Sequence, residues 1–272
     1  MLDRRAHRSK RLAHGAATSA VLVLIACASA LAAEWPSTRG IRTDPKVELP
    51  LDPDAGPAQK PLRPIAPVRL ATRGDDRQAL AGLAARTAPF EVVGASTRPD
   101  LLWDPQDRTV RQGEEVVGTD VAAADLPDVI DRTALVRLVT ELSGRSPQAI
   151  RLQPEGRVRR AGERIQIVVP GVANRNLAVF SVSGNGTVAL LYPTRRDPPA
   201  VAGQDAVFTV EVGPPFGAEQ IFAVSRGLSL ADFVTTLRRL NGRKGAGQIL
   251  AQLDALPAID LQVGTAAIAT QP

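Results

Sequence analysis

Two apolar runs, residues 177–182 and 187–192, flank the tetrapeptide Ser183-Gly184-Asn185-Gly186. An Asn-Gly pair between such runs is the strongest short-range hairpin signal, because both residues tolerate positive φ. It commits this stretch to antiparallel pairing and sets a frame for its neighbours. Upstream, Ile165, Ile167 and Val169 alternate with Arg164 and Gln166, the pattern of a strand with one buried face. Downstream, residues 208–212 and 220–224 give two more strands. Strands broken by Gly/Pro turns predict a mainly antiparallel, sandwich-like domain over residues 151–272.

That domain is expected to end in two helices. Ser229-Leu230-Ala231-Asp232 fits an N-cap with an acid three residues on. Leu230, Phe233, Val234, Leu237 and Leu240 then line one face, and Asn241-Gly242 stops the helix. A second helix is expected over 248–255, before Pro257. Ile259, Leu261 and Val263 alternate again, which predicts a strand returning to the sheet edge.

Residues 68–150 read as a small α/β unit, so the chain as a whole is expected to be α+β. Short strands are expected at 68–71, 90–93, 101–103 and 115–117. Asp75 is placed to cap a helix presenting Leu80, Leu83 and Ala84 on one face. Pro127 suits the first turn of a helix whose face carries Ile130, Ala134, Leu135, Leu138, Val139 and Leu142, with Gly144 just past its end. Trp103, between leucines and an acid, reads as a core aromatic ahead of a ligand-stacking one.

Much chemistry is excluded by what the chain lacks. Its two His, His7 and His14, and its one Cys, Cys27, all precede residue 34. Cys-His and Ser-His-Asp catalysis need an imidazole beside the nucleophile, and zinc sites draw on His and Cys. Lysine occurs only at Lys10, Lys46, Lys60 and Lys244, and none has a Ser three residues before it. Arg243-Lys244-Gly245-Ala246-Gly247 lacks the spacing of a phosphate loop and reads as a connection between helices. No carboxylate pair is singled out by spacing. No catalytic, cofactor-binding or metal-binding residue is therefore assigned, and no cofactor is expected.

The first 33 residues have the three-part layout of an export signal. Arg4, Arg5, Arg8, Lys10 and Arg11 precede an apolar run from 16 to 33, closed by Ala30-Leu31-Ala32. Three outcomes stay open: cleavage after Ala32, acylation of Cys27 within Leu24-Ile25-Ala26-Cys27, which resembles a lipobox, or retention as an anchor at the short end of a membrane span. Residues 34–67 contain eight Pro and no apolar periodicity, the composition of a semi-rigid linker. Residues 34–272 carry 28 basic and 27 acidic side chains, a net charge of about +1. With the leader set aside, little remains of a motive for nucleic-acid binding, and membrane contact is expected only through the N-terminal segment.

Three segments also carry a family likeness. Arg160-Ala161-Gly162-Glu163 precedes a strand, Leu191-Tyr192-Pro193 closes the hairpin, and Pro215-Phe216-Gly217 opens the next strand but one. In this order, over roughly residues 90–265, the chain resembles the bacterial domain of unknown function 4384. That domain is usually carried behind a caspase-like peptidase or a serine/threonine kinase domain. The resemblance implies a β-rich accessory module without catalysis of its own; the catalytic His and Cys of such peptidases lie in the other domain. Together with export, it leads to the expectation of a non-catalytic recognition module in the periplasm or on its membrane face, partnered by an envelope protein or complex. The alternative is a regulatory or structural subunit of a separately encoded caspase-like peptidase or kinase. The contact loop expected is 194–199, where Arg195 and Arg196 could fork onto carboxylate or phosphate groups. Arg157, Arg159, Arg160 and Arg164 form a second basic cluster.

Overall fold

The computed structural model describes residues 40–42 (backbone only) and 65–272, apart from 75, 157, 199, 214 and 215. The segment whose pattern suggests export, Cys27 and nearly all of the Pro-rich segment lie outside the described residues, as do Asp75 and Arg157. One short piece of the Pro-rich segment, β1 (Gly40–Arg42), is a strand.

The α/β segment follows. It comprises β2 (Val68–Thr72), β3 (Phe90–Val92), β4 (Leu101–Asp104), β5 (Thr109–Gln112), β6 (Glu115–Gly118) and helix α1 (Leu126–Arg145). The strands lie in the order β3-β2-β4-β5-β6, parallel on the β3 side and antiparallel on the β6 side. The helix expected after residue 75 is only a 3-10 turn, Asp76–Leu80. Leu80 is buried, but Leu83 is only half-buried and Ala84 is exposed. Gly82 stands where the helix would need its second turn, and glycine there costs about 1 kcal/mol against alanine. Helix α1 begins with Pro127 in its first turn, as the sequence suggests, but Gly144 lies inside its last turn.

The second segment contains β7 (Arg151–Gln153), β8 (Val158–Arg160), β9 (Arg164–Val169), β10 (Asn176–Ser183), β11 (Val188–Tyr192), β12 (Ala206–Gly213) and β13 (Gly217–Arg226). Helices α2 (Ala231–Leu240) and α3 (Ala246–Ala255) and strand β14 (Gln262–Gln271) complete it. Two sheets form, β1-β12-β9-β7 and β11-β10-β13-β14-β8, and only the β14–β8 pair is parallel. The fold is therefore α+β, with three mostly antiparallel sheets and two helices near the C-terminus. β14 starts after Ile259, which is 73 % exposed. It does not close the edge of the sheet but runs between β13 and β8.

Alternation along the strands explains the layering. In β9, Ile165, Ile167 and Val169 face inward while Arg164 and Gln166 face solvent. In β10 and β13 both faces are buried. Leu177, Val179, Ile221 and Ala223 join the cluster shared with β9, whereas Ala178, Phe180, Val182, Phe222 and Val224 join a larger cluster with the helices. The five-stranded β10 sheet is thus a central layer, with the β9 sheet on one face and helices on the other. Phe180 stacks on Phe222 at 5.1 Å and meets the edge of Phe233, from α2, at 5.9 Å. Such pairs add about 0.5–1.5 kcal/mol beyond their burial.

Helix α1 takes part in that larger cluster together with β2, β4, β5 and β6. One continuous core therefore crosses from residues 68–150 into 151–272. The turn Arg160-Ala161-Gly162-Glu163 carries the chain from the β10 sheet to the β9 sheet, with Gly162 at φ +78°. The Ala161 N–H donates to Gln271 on one side, and the Gly162 N–H to Val212 on the other.

The Asn-Gly hairpin forms, with a three-residue loop in place of a two-residue one. Gly186 N–H donates to Ser183 C=O at 2.9 Å, and Ser183 N–H to Thr187 C=O at 2.9 Å. Only Gly186 adopts positive φ, +85°, as in a turn that ends in a bulge. Unusually for a turn, residues 183–187 are all buried. Asn185 Oδ1 satisfies them by accepting from Ser183 Oγ at 2.6 Å and Thr187 Oγ1 at 2.9 Å.

Candidate functional site

A groove of about 290 Å³ lies beside the loop that follows β11. Its apolar surface comes from Leu177, Pro193, Leu230 and Val234; Asn176, Asp197, Ser229, Thr235 and Arg238 supply polar groups. Helix α2 borders it because Phe233, Leu237 and Leu240 are drawn into the core, leaving residues 231, 235 and 238 on the outer side.

The loop along its rim is braced from within. Tyr192 Oη donates to Pro198 C=O at 2.7 Å. Asp197 Oδ2 accepts from the Thr194 N–H at 2.8 Å and from Thr194 Oγ1 at 2.7 Å. Burial, and then the nearby Asp197 carboxylate, raise the Tyr192 phenol above its ordinary pKa, so it stays a donor. The loop thereby holds Arg195 and Arg196 in solvent. Neither lines the groove; the cation that does is Arg238, which sequence reading passed over. Its Nη2 donates weakly to Thr194 C=O at 3.4 Å, and its Nε is buried with no acceptor among the described residues. The usable signal was its spacing: Leu230, Val234 and Arg238 recur every fourth residue on one helical face.

Ser229 does not cap α2 in the expected way. Leu230 occupies the cap position, and Ser229 Oγ accepts from the Ala231 N–H at 3.1 Å from one residue further out. The α2 N-terminus opens onto the groove through Ser229, Leu230 and Ala231.

The second basic cluster does not act as a unit. Arg159 is buried, donating to Pro154 and Val158 carbonyls, while Arg160 and Arg164 are exposed and Arg164 lies 3.9 Å from Glu211. Of the glycine-rich segment 243–247, only residues 243–245 lie between α2 and α3; Ala246 and Gly247 open α3, which starts two residues before the expected 248. Lys244 is engaged by Asp125 and lies 3.8 Å from Asp128, which leaves it turned toward carboxylates.

Asp128, which is buried, and Asp125, which is part-exposed, belong to a charged cluster at the start of α1. Arg86 reaches Asp128 at 2.5 Å, and Asp131 accepts the Ala88 N–H at 2.7 Å. Burial raises the pKa of both acids; Arg86 and Lys244 oppose this at Asp128, the Ala88 and Thr87 amides at Asp131. Further along α1, Arg132 is 4 % exposed, and burial lowers its pKa against the pull of Glu219 and Glu115. A space of about 20 Å³ between Gly118, Gly184, Phe216 and Glu219 has room for one water molecule.

The family-like segments do not converge on one site. Leu191 and Tyr192 belong to the sandwich core, Pro193 lines the groove, and Phe216 and Gly217 line the small space. Trp103 is buried, with Nε1 donating to Val121 C=O at 3.1 Å. Among the described residues, no three His, Cys, Asp or Glu are placed to hold a metal ion, and no helix is long and apolar enough to cross a membrane.

Comparison with protein-family models, with curated proteins and with solved structures returns no match.

Proposed function

We propose that this chain is an exported, non-catalytic recognition module of the cell envelope. The observation that carries this reading is the braced loop at the groove rim. A rigid sandwich presents two exposed guanidinium groups, Arg195 and Arg196, beside a concave surface with an apolar floor. Binding residues concentrate on loops held by such scaffolds, and arginine suits forked recognition of carboxylate or phosphate. The N-terminal charge and apolar pattern supports export. The resemblance to an accessory domain carried behind caspase-like peptidases favours a second reading, a regulatory or structural subunit of a separately encoded peptidase or kinase.

The test is affinity capture of the tagged full chain from crosslinked native cells, read by mass spectrometry, beside an Arg195→Glu/Arg196→Glu double variant. Reproducible enrichment of an envelope protein or complex, lost with the variant, is expected. Enrichment of a caspase-like peptidase or kinase selects the second reading. No enrichment, or equal enrichment by the variant, overturns the loop's role.

A further inference from the structure

We propose that the groove along α2 binds an extended peptide in which an acidic side chain sits four residues from an aliphatic one. This deepens the recognition reading and rests on it.

The acid is assigned to the Arg238 end. Arg238 lines the groove with a buried Nε that lacks an acceptor and a single weak bond at 3.4 Å from Nη2. Its Nε is closed to solvent, so a ligand is met by the Nη groups. A guanidinium whose Nη donors are this lightly used, at the edge of an apolar surface, calls for a carboxylate, which accepts two N–H bonds side by side. Asp197, the one acid lining the groove, already accepts twice from Thr194.

The aliphatic side chain is assigned to the opposite end. There the groove reaches Asn176 and Ser229, and the Asn176 side chain donates to Gly227 C=O at 3.2 Å. The Gly227 N–H in turn donates to Asp260 Oδ2 at 2.6 Å, tying two loops together. These loops carry Leu228 and Ile259, 55 % and 73 % exposed. Leu228, the residue before Ser229, is placed to extend the apolar surface beyond this end of the groove.

Spacing joins the two ends. From Leu230 to Arg238 the helix rises about 12 Å at 1.5 Å per residue. An extended peptide covers that distance in about four residues at about 3.3 Å each, and side chains four apart lie on the same face of it. The apolar floor of Pro193, Val234 and Leu177 suits small or aliphatic residues between.

The probes are the blocked peptides Ac-Glu-Ala-Ala-Ala-Leu-NH2, its Gln counterpart and its counterpart ending in Ser, titrated into 15N-labelled protein. The Glu-Leu peptide is expected to shift the amide signals of Ser229, Leu230 and Val234 and the Arg238 side-chain signal. The Gln and Ser peptides are expected to bind about tenfold more weakly, the ordinary worth of one charge-assisted bond or one buried side chain. Arg238→Gln should erase the Glu-over-Gln preference, and Thr235→Trp, on the exposed side of α2, should block all three peptides while the remaining spectrum holds. Equal binding of Glu and Gln peptides, shifts elsewhere, or no shift at millimolar peptide overturns the proposal. If the full chain still captures an envelope partner through Arg195 and Arg196 in that event, this inference fails alone and the recognition reading stands.

Discussion

A Cβ placed on Gly184 would lie 1.6 Å from the carbonyl oxygen of Val117. The buried hairpin turn therefore touches strand β6 backbone to backbone, and this contact helps to join the sandwich to the α/β segment. Gly184→Ala must push two sheets apart, and the cost is expected to exceed the roughly 1–3 kcal/mol of ordinary overpacking. Gly144, in the last turn of α1, meets nothing within 4 Å, so Gly144→Ala should stabilise by about 0.5–1 kcal/mol. Urea denaturation of both variants checks the contrast.

The α1 carboxylates predict a pH dependence of definite sign. Asp131 has its pKa raised by burial, so between the unfolded value and that raised value the folded state binds more protons. Stability from this group therefore falls as pH rises through that window. Asp131→Asn, which keeps an acceptor for Ala88, should show no such fall. The melting temperature of wild type minus that of the variant should decrease from acid toward neutral pH.

Arg175 and Asp260 predict the opposite sign. Arg175 reaches the Asp260 carboxylate at 2.7 Å and its carbonyl at 2.7 Å, and also bonds Ser225. The bond from Arg175, then that from the Gly227 amide, hold the Asp260 pKa below its ordinary value. Stability from this pair is present above the unfolded pKa and lost as pH falls toward the lowered one. The destabilisation caused by Asp260→Asn should shrink over that range in thermal melts. Arg175→Ala should cost about 2 kcal/mol at neutral pH, the sum of several part-exposed hydrogen bonds.

Asp254 lies in the last turn of α3, 3 % exposed, and neither carboxylate oxygen has a hydrogen-bond partner among the described residues. The negative end of the helix dipole adds to its cost. Asp254→Leu should raise stability by about 1–3 kcal/mol. A lower denaturation midpoint would show that the acid has a role in the folded state.

Export is checked at the N-terminus. Cleavage after Ala32 predicts a mature chain starting near Ala33, released by osmotic shock, and a Cys27→Ser variant that fractionates like wild type. Membrane association that vanishes in Cys27→Ser would instead assign the lipoprotein form.

The legibility of the fold follows from how many faces each element buries. β9 has one solvent face, so its Ile-x-Ile-x-Val pattern was readable, as was the α2 stripe ending in Leu237 and Leu240. β10 and β13 lie in the central layer, and their unbroken apolar runs told strand from loop but not that helices cover the second face. α1 is buried almost all around over its first ten residues, Asp128, Asp131 and Arg132 included, so periodicity identified only part of its contact surface. β5, Thr109–Gln112, has one buried residue and gave no signal. The loop carrying Arg195 and Arg196 was found from its place after a strand. Arg238 was not, because a guanidinium on an amphipathic helix looks like any other solvated charge until the loop opposite it is in place.

Strand β1 pairs Ile41 with Val212 and Arg42 with Glu211, so β12 has a neighbour on each side, β9 and β1. Over residues 211–213 its backbone is therefore not an open edge on which another chain could add a strand.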